Sequence, residues 1–382
     1  MRNIFLFCAL LCLCMTSSGC WDKVQLENRG FVSAFGIDAY RPDLASGAAL
    51  RFNSPHFDER FIATVCMPNL QGSEKGGTTK LMAAADALLP ALSLVQLGTS
   101  QEPYYGQTKA IVLGESLLND AELMSQAIDA MERNREISRK VVILATDGDA
   151  AEILKADIEG EQFGMHVSNF FNRNNTALGI AFKKDLEGVL KDLRNSGGTV
   201  IPVASLEGGV ISLSGAAMVN NFKLAGWLDD AEVRGLMMAR GQGEDAHITV
   251  EFDGVRVPLR LSSQRARLKF EPGSPGSPVC FLEIRALGSI LEYYANSQND
   301  ISSPENVARL NKLFAQAIER EVTDMYARLT ESGVDGLGLL EHMRKHNYSL
   351  YQEFITRDRP SVSDIILIPI VDVRVTDVGA TR

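Results

Sequence analysis

Hydrophobic positions along this chain come in three textures, and each predicts a different element. Unbroken apolar runs occur at Ile4–Met15 (IFLFCALLCLCM) and inside the stretches Lys109–Leu113 and Arg139–Ala145, after their leading Lys and Arg residues. The second and third, four to eight residues with β-branched content, predict strands covered on both faces. Strand-like runs also cover Gly30–Tyr40, Phe57–Met67, Val210–Val219, Lys223–Leu228, His247–Phe252, Val255–Leu261, Arg265–Phe270 and Val279–Leu291. Strict alternation appears near the C-terminus, within the run Ile365–Val375. There Val371, Val373 and Val375 are interleaved with Asp372 and Arg374, the pattern of a strand with one wet face. Helical spacing marks Leu81, Ala84, Leu88 and Leu92, then Leu118, Leu123, Ala127, Ile128 and Met131 within Glu115–Asn134. The longest helical signal is Val307, Leu310, Phe314, Ile318, Val322, Met325 and Leu329, opened by a Ser303 cap and Pro304. A shorter helix is expected over Gly336–Lys345, and Asp147-Gly148-Asp149 reads as a turn leading into a capped helix.

The texture shifts to Gly and Pro between Gly197 and Gly209, which places a boundary there. Strand–helix–strand alternation before it and a β-rich stretch after it predict an α+β chain of two or three domains. The expected division is a leader over 1–19, an N-terminal α+β region over 20–204 and a C-terminal domain over 210–378.

The first run is a different matter. Arg2 precedes Ile4–Met15, and Thr16-Ser17-Ser18-Gly19 follows it as a small-residue segment ending at Cys20. The run is shorter than the ~20 residues a membrane-spanning helix needs, and the layout is that of a secretory signal peptide. A Cys directly after the small residues makes it a bacterial lipoprotein leader, with Cys20 as the site of diacylglyceryl attachment. Ser17 stands where such leaders usually carry Leu. A two-chain lipid anchors stably where one acyl chain does not.

Charge and chemistry narrow the function classes. The chain carries a formal charge of −10, and losing residues 1–19 removes Arg2 and no acid, leaving −11. No Lys/Arg cluster with interleaved aromatics appears, so nucleic-acid binding is not expected. Cys66 and Cys280 are the two cysteines outside the leader and the anchor, and their apolar contexts read as buried thiols rather than a disulfide. No nucleophile elbow, phosphate loop or His-Glu-x-x-His motif is present. Arg240-Gly241-Gln242-Gly243 lacks the third glycine of a nucleotide loop. His342 and His346 share a helix face with Glu341 nearby, but Arg344 and Lys345 beside them disfavour a bound cation. Arg256, Arg260, Arg265, Arg267 and Lys269 read as a solvated sheet face. No cofactor, metal site or catalytic residue is assigned.

Three stretches, in order, carry a resemblance. Cys20-Trp21-Asp22-Lys23, then Leu26-Glu27 and Phe35-Gly36-Ile37-Asp38, form the first. Gly215–Val219, then Lys223–Leu228 with Gly226 and Trp227, and Glu232-Val233-Arg234-Gly235-Leu236, form the second. The third runs from the long helix through Val334-Asp335-Gly336-Leu337-Gly338 to the terminal strand. Together they resemble the Ger(x)C family, the lipoprotein C subunits of GerA-type nutrient germinant receptors of endospores. The resemblance implies three domains, each a mostly antiparallel or mixed β-sheet with packed helices, and no enzymatic activity. It implies two partners, an integral-membrane A subunit and a transporter-like B subunit, at the outer face of the inner spore membrane. It makes Cys20 the lipidated residue, with Trp21, Asp22, Gly36, Asp38, Gly226, Trp227, Arg234 and Gly235 as structural motif positions. The rival expectation is a solute-binding lipoprotein, which would need a deep cleft with convergent polar groups.

Overall fold

The structure is a computed structural model, and it describes residues 28–46, 49–51, 58–68, 77–156, 158, 161–173, 177–273, 277–293, 301–357 and 360–378. The leader, Cys20, Trp21 and Asp22 lie outside the described residues. The N-terminal half contains β1 (Arg29–Phe31), β2 (Ala34–Ala39), α1 (Pro42–Ala45), β3 (Ala49–Arg51), β4 (Phe61–Pro68), β5 (Thr78–Ala85) and α2 (Leu88–Leu94). It continues with β6 (Glu102–Tyr104), β7 (Ala110–Leu113), α3 (Glu115–Leu118), α4 (Ala121–Arg133), β8 (Val142–Ala145), α5 (Ala150–Lys155), α6 (Phe163–Arg173) and α7 (Leu186–Ser196). Six strands form one mixed sheet in the order β3-β5-β4-β2-β7-β8, and β1 pairs separately with β6.

Side chains of the central strands divide by parity. Phe35 and Ile37 of β2 enter one apolar cluster with Val65 and Ile111, while Ala34, Cys66 and Val112 enter another on the opposite face. Both faces are therefore covered, as the unbroken runs predicted. Two expectations fail here. Leu81 and Ala84 lie in β5, paired antiparallel with β4, and the helix starts only at Leu88. Met82-Ala83-Ala84-Ala85 has strong helix propensity, but pairing to β4 in a buried sheet overrides it. The helix expected over Glu115–Asn134 is two helices, because Asp120 turns to cap α4 by accepting the Glu122 and Leu123 N–H groups, each at 3.0 Å.

The middle of the chain supplies β9 (Gly198–Pro202), β10 (Ser205–Glu207), β11 (Val210–Ser212), β12 (Ala216–Asn220), β13 (Lys223–Leu228) and α8 (Asp230–Ala239). A three-stranded sheet, β13-β12-β9, straddles residues 204–210, and Ala204 N–H donates to Ala145 O at 2.8 Å, tying it to β8. The C-terminal half adds β14 (His247–Phe252), β15 (Val255–Glu271), β16 (Val279–Ile290), α9 (Pro304–Glu331), α10 (Leu339–His346), α11 (Tyr348–Ile355) and β17 (Ile366–Asp377). Here β14, β15 and β16 run antiparallel in sequence, and β17 adds parallel to β16 at the edge. The two runs expected over Val255–Leu261 and Arg265–Phe270 are one long strand with a bulge between Leu261 and Ser263. Helix α9 lies under one face of this sheet, with Leu310, Phe314, Ile318, Val322 and Met325 all fully buried. Ser303 caps it by accepting the Asn306 N–H at 3.3 Å. The chain is thus α+β, with six-, three- and four-stranded sheets and helices packed against them.

Candidate functional site at the junction of the two halves

Of the motif positions, Gly36 and Asp38 lie on β2 and serve one contact. A Cβ on Gly36 would sit 2.8 Å from Ala150 Cβ and 2.9 Å from Leu154 Cδ1, so its absence lets α5 rest on the strand. The Asp38 carboxylate, fully buried, accepts the Ala150 N–H at 2.8 Å and the Ala151 N–H at 3.1 Å. It therefore does the work of an N-cap from 112 residues upstream. Asp149, which holds the formal cap position, instead accepts from Arg41 at 2.7 Å and makes no capping bond. Burial pushes the Asp38 carboxyl up to about 7 against the pull of those two N–H groups, with Asp149 raising and Arg41 lowering it further.

Gly226 and Trp227 lie on β13. Gly226 has φ of 152° opposite the β12 irregularity at Met218/Val219, and Trp227 is half-buried against the core of the N-terminal half. Trp227 stands two residues before the Asp229 cap of α8, whose side chain accepts from Glu232 N–H in a capping box. Arg234 and Gly235 face α9 from α8. The Arg234 guanidinium grips Glu321 through two bonds, one Nε–H donating at 2.9 Å, and a Cβ on Gly235 would sit 2.5 Å from Glu321 O. These two residues let the two helices approach closely.

Sequence reasoning missed the set of charges between the halves. Lys184 donates to Asp192, which also accepts from Thr199 Oγ1 at 2.9 Å. Arg240, in the Arg-Gly-Gln-Gly stretch, closes α8, donates to Gly336 O at 2.6 and 3.2 Å, and lies over the Phe182 ring at 5.3 Å. Asp335 accepts the Leu339 and Leu340 N–H groups at 2.7 and 2.9 Å and so starts α10. Burial lowers the proton affinities of Lys184 and Arg240 and raises that of Asp335, while the Asp192 charge acts on all three. At the rim, Lys191 of α7 and Lys345 of α10 both grip Glu341, at 2.8 and 2.7 Å, and hold its carboxyl down at about 2. The two halves thus meet through the Lys191–Glu341 ion pair and the Arg240–Phe182 contact, with the remaining charges satisfied inside their own half. The one local signal was the Asp before Gly336-Leu337-Gly338; the contacts that cross the junction, Lys191–Glu341 and Arg240–Phe182, join residues distant in sequence.

Other candidate chemistry resolves simply. The His342 and His346 rings stand 4.4 Å apart, burial pushes His342 down, and Glu341 is taken by the two lysines. Among the described residues no group of three or more His, Cys, Asp or Glu side chains could hold a metal. Cys66 and Cys280 are buried free thiols on β4 and β16, both pushed up to about 12 by burial. Arg256, Arg260, Arg265, Arg267 and Lys269 are all exposed on the outer face of the four-stranded sheet. No helix among the described residues is long and apolar enough to cross a membrane.

Comparison with known proteins matches this two-part organisation. Residues 22–206 match the family described as spore germination protein N-terminal domain, and residues 214–379 match spore germination B3/GerAC-like, C-terminal. The chain belongs to this spore germination family. Similar proteins of Bacillus subtilis (strain 168) include spore germination protein B3, 22% identical over 352 residues (89% of this chain, 87% of that one). Spore germination protein YndF of the same strain is 20% identical over 301 residues, 74% of each chain. Spore germination protein GerQC of Bacillus cereus is 20% identical over 329 residues, 84% of this chain and 88% of that one. The crystal structure of the GerBC protein shares the fold, with a TM-score of 0.56 and 17% identity, over 86% of this chain and 97% of that one. The Ger(x)C resemblance read from the motif stretches is therefore correct.

Proposed function

We propose that this spore germination protein is the lipid-anchored C subunit of a nutrient germinant receptor. It acts without catalysis, as a scaffold or coupling subunit at the outer face of the inner spore membrane, in contact with an integral-membrane A subunit and a transporter-like B subunit. The observation that carries the reading is the ordered match of both halves to the spore germination family, over residues 22–206 and 214–379. Two physical features support it. The motif positions Gly36, Asp38, Arg234 and Gly235 serve packing and capping contacts rather than a substrate-sized space. With no membrane-crossing helix among the described residues, attachment falls to a diacylglyceryl group on Cys20, after removal of residues 1–19.

The test has two parts. In spores of the source organism, deleting the gene should abolish germination by one class of nutrient while leaving germination by other routes intact. An unchanged nutrient response in the deletion strain would refute the receptor reading. Cys20→Ala should incorporate no labelled palmitate and should leave the membrane fraction; label retained in that variant would refute the anchor. Calorimetric titration of the chain with amino acids and sugars is expected to show no saturable heat at millimolar concentration. Saturable binding below that range would move the solute-binding reading to first place.

A further inference from the structure

The four-stranded sheet buries one face against α9 and leaves the other open, and that open face is not an ordinary solvated surface. Arg265 and Arg285 are directly opposed on β15 and β16, both exposed. Like charges in that position oppose sheet pairing. Arg267 stands two residues along on the same face. Other basic residues here have acids: Arg260 pairs with Asp245 at 2.6 Å, Lys269 with Glu271 at 2.5 Å and Arg374 with Asp372 at 3.7 Å. Among the described residues Arg265, Arg267 and Arg285 make no such ion pair; Glu283 stands opposite Arg267 and Asp372 opposite Arg285, but Arg265 faces only Arg285, on a chain whose net charge is −10.

Beside these cations runs an apolar row. Ile366, Ile368 and Ile370 of β17 are 52%, 39% and 51% exposed, on the same face, and Leu287 of β16 is 41% exposed. Between the arginines and the isoleucines the surface is concave. A groove of about 730 Å³ is lined by Arg265, Arg285, Leu287 and Ile370, with Glu283 and Asp372 in it. Exposed apolar groups clustered beside unpaired charges mark an interaction site.

We infer that this groove docks an amphipathic segment of another polypeptide, one whose apolar stripe is flanked by carboxylates. The stripe covers the isoleucine row and the carboxylates neutralise the Arg265–Arg285 opposition. Two other occupants fit less well. An anionic bilayer would meet Glu283 and Asp372 inside the groove, and it is flat where the surface is concave. A second copy, face to face, would bring two positively charged surfaces together, since the open face of β15–β17 carries Arg256, Arg260, Arg265, Arg267, Lys269, Arg285 and Arg374 against Glu271, Glu283 and Asp372. The inference rests on the receptor-subunit reading only for which chain supplies the segment; the docking chemistry is read from this face alone.

The experiment uses the full chain purified in detergent and a labelled synthetic helical peptide, with Leu at helical spacing flanked by Glu. Fluorescence anisotropy should show saturable binding that weakens with salt. A matched peptide with every Glu replaced by Gln should bind at least tenfold more weakly. Arg265→Glu should also weaken the Glu peptide at least tenfold. That single reversal turns the repulsive pair into an attractive one, so its unfolding midpoint should stay level or rise, which separates lost docking from lost folding. Ile368→Ser should weaken binding with at most a small fall in the midpoint. Absence of saturable binding, equal binding of the Gln peptide, or indifference to Arg265→Glu would overturn the inference. So would Arg265-dependent recruitment to phosphatidylglycerol vesicles in preference to the peptide, or an Arg265-dependent dimer in sedimentation. None of these readouts involves germination, so they fail or succeed independently of the proposed function.

Discussion

The six-stranded and four-stranded sheets are built from similar residues and put to different use. In the first, successive side chains of β2, β4 and β7 enter apolar clusters on opposite faces, and helices cover both. In the second, β15, β16 and β17 alternate between a single buried cluster under α9 and exposed positions. A sheet covered twice can only be a core; a sheet covered once has a face to offer. The N-terminal half thus has both faces of its sheet covered and the C-terminal half leaves one open, with the Lys191–Glu341 ion pair and Arg240 over the Phe182 ring joining one to the other.

The covered face of the four-stranded sheet should give the largest effect. Phe314 is fully buried between α9 and that sheet. Replacing it with Ala is expected to cost about 3–5 kcal/mol, read as a lowered urea midpoint. A midpoint within error of the parent would mean that α9 does not close that face.

Asp38 tests whether the six-stranded sheet is as closed as it looks. Its carboxyl is pushed up to about 7 by burial, against about 3.9 in an unfolded chain. The folded protein thus keeps a proton that the unfolded chain releases between about pH 4 and 7, and stability from this group falls as pH rises through that window. Asp38→Asn removes the titration and leaves the Ala151 N–H facing an amide that cannot accept from it on that side. The variant should be less stable than the parent by about 1–3 kcal/mol at pH 4, and the gap should narrow towards pH 7. A gap that widens with pH would show that the two N–H groups hold the ionised form and that burial is the lesser cause.

The sequence disclosed these two sheets unequally. Unbroken runs such as Val141–Leu144 and the alternation of Val371 to Val375 state directly whether one face or two is buried, and both readings hold. The long helix was equally plain, because cap, proline and seven evenly spaced apolar residues agree. Leu81–Ala85 was misread because alanine-rich strands carry no local sign of pairing. Helices α6 and α7 were passed over: Phe163, Val167 and Phe171 recur at helical spacing, but the Asn-rich stretch after them masks the signal. The site residues divide the same way. Asp335 caps four residues ahead and was visible as part of a motif, whereas the contact between Asp38 and Ala150 closes over 112 residues, and no local pattern encodes it.

Gly235→Ala sharpens the link between α8 and the helix under the open sheet. The added methyl would stand 2.5 Å from Glu321 O, a backbone atom that cannot swing aside. The two helices must separate, at a cost of about 1–3 kcal/mol, and the Arg234–Glu321 grip should loosen with them. Thermal unfolding of Gly235→Ala beside Arg234→Ala and the double variant would show it. Strong non-additivity is expected, since both act on one contact; simple addition would mean that the glycine serves some other neighbour.

The smallest effect is expected where the comparison matters most. Ile368 lies on the open face, 39% exposed, opposite Phe281 of β16. If that face is uncovered in the isolated chain, Ile368→Ser removes only the part of the side chain packed on its strand neighbours, and the unfolding free energy should shift by no more than about 1 kcal/mol. The matched change on the other face, Val373→Ser, deletes a side chain that is 3% exposed under α9. It leaves a hydroxyl among apolar neighbours, so it should cost several times more. Measuring both in one urea series sets the two faces of a single strand against each other, five residues apart. Equal losses would mean that Ile368 is already covered in the free chain and that the open face is closed by the protein's own residues. A large loss for Val373 with none for Ile368 leaves an isoleucine row that costs nothing to fold without, which is the property a docking surface needs and a core does not.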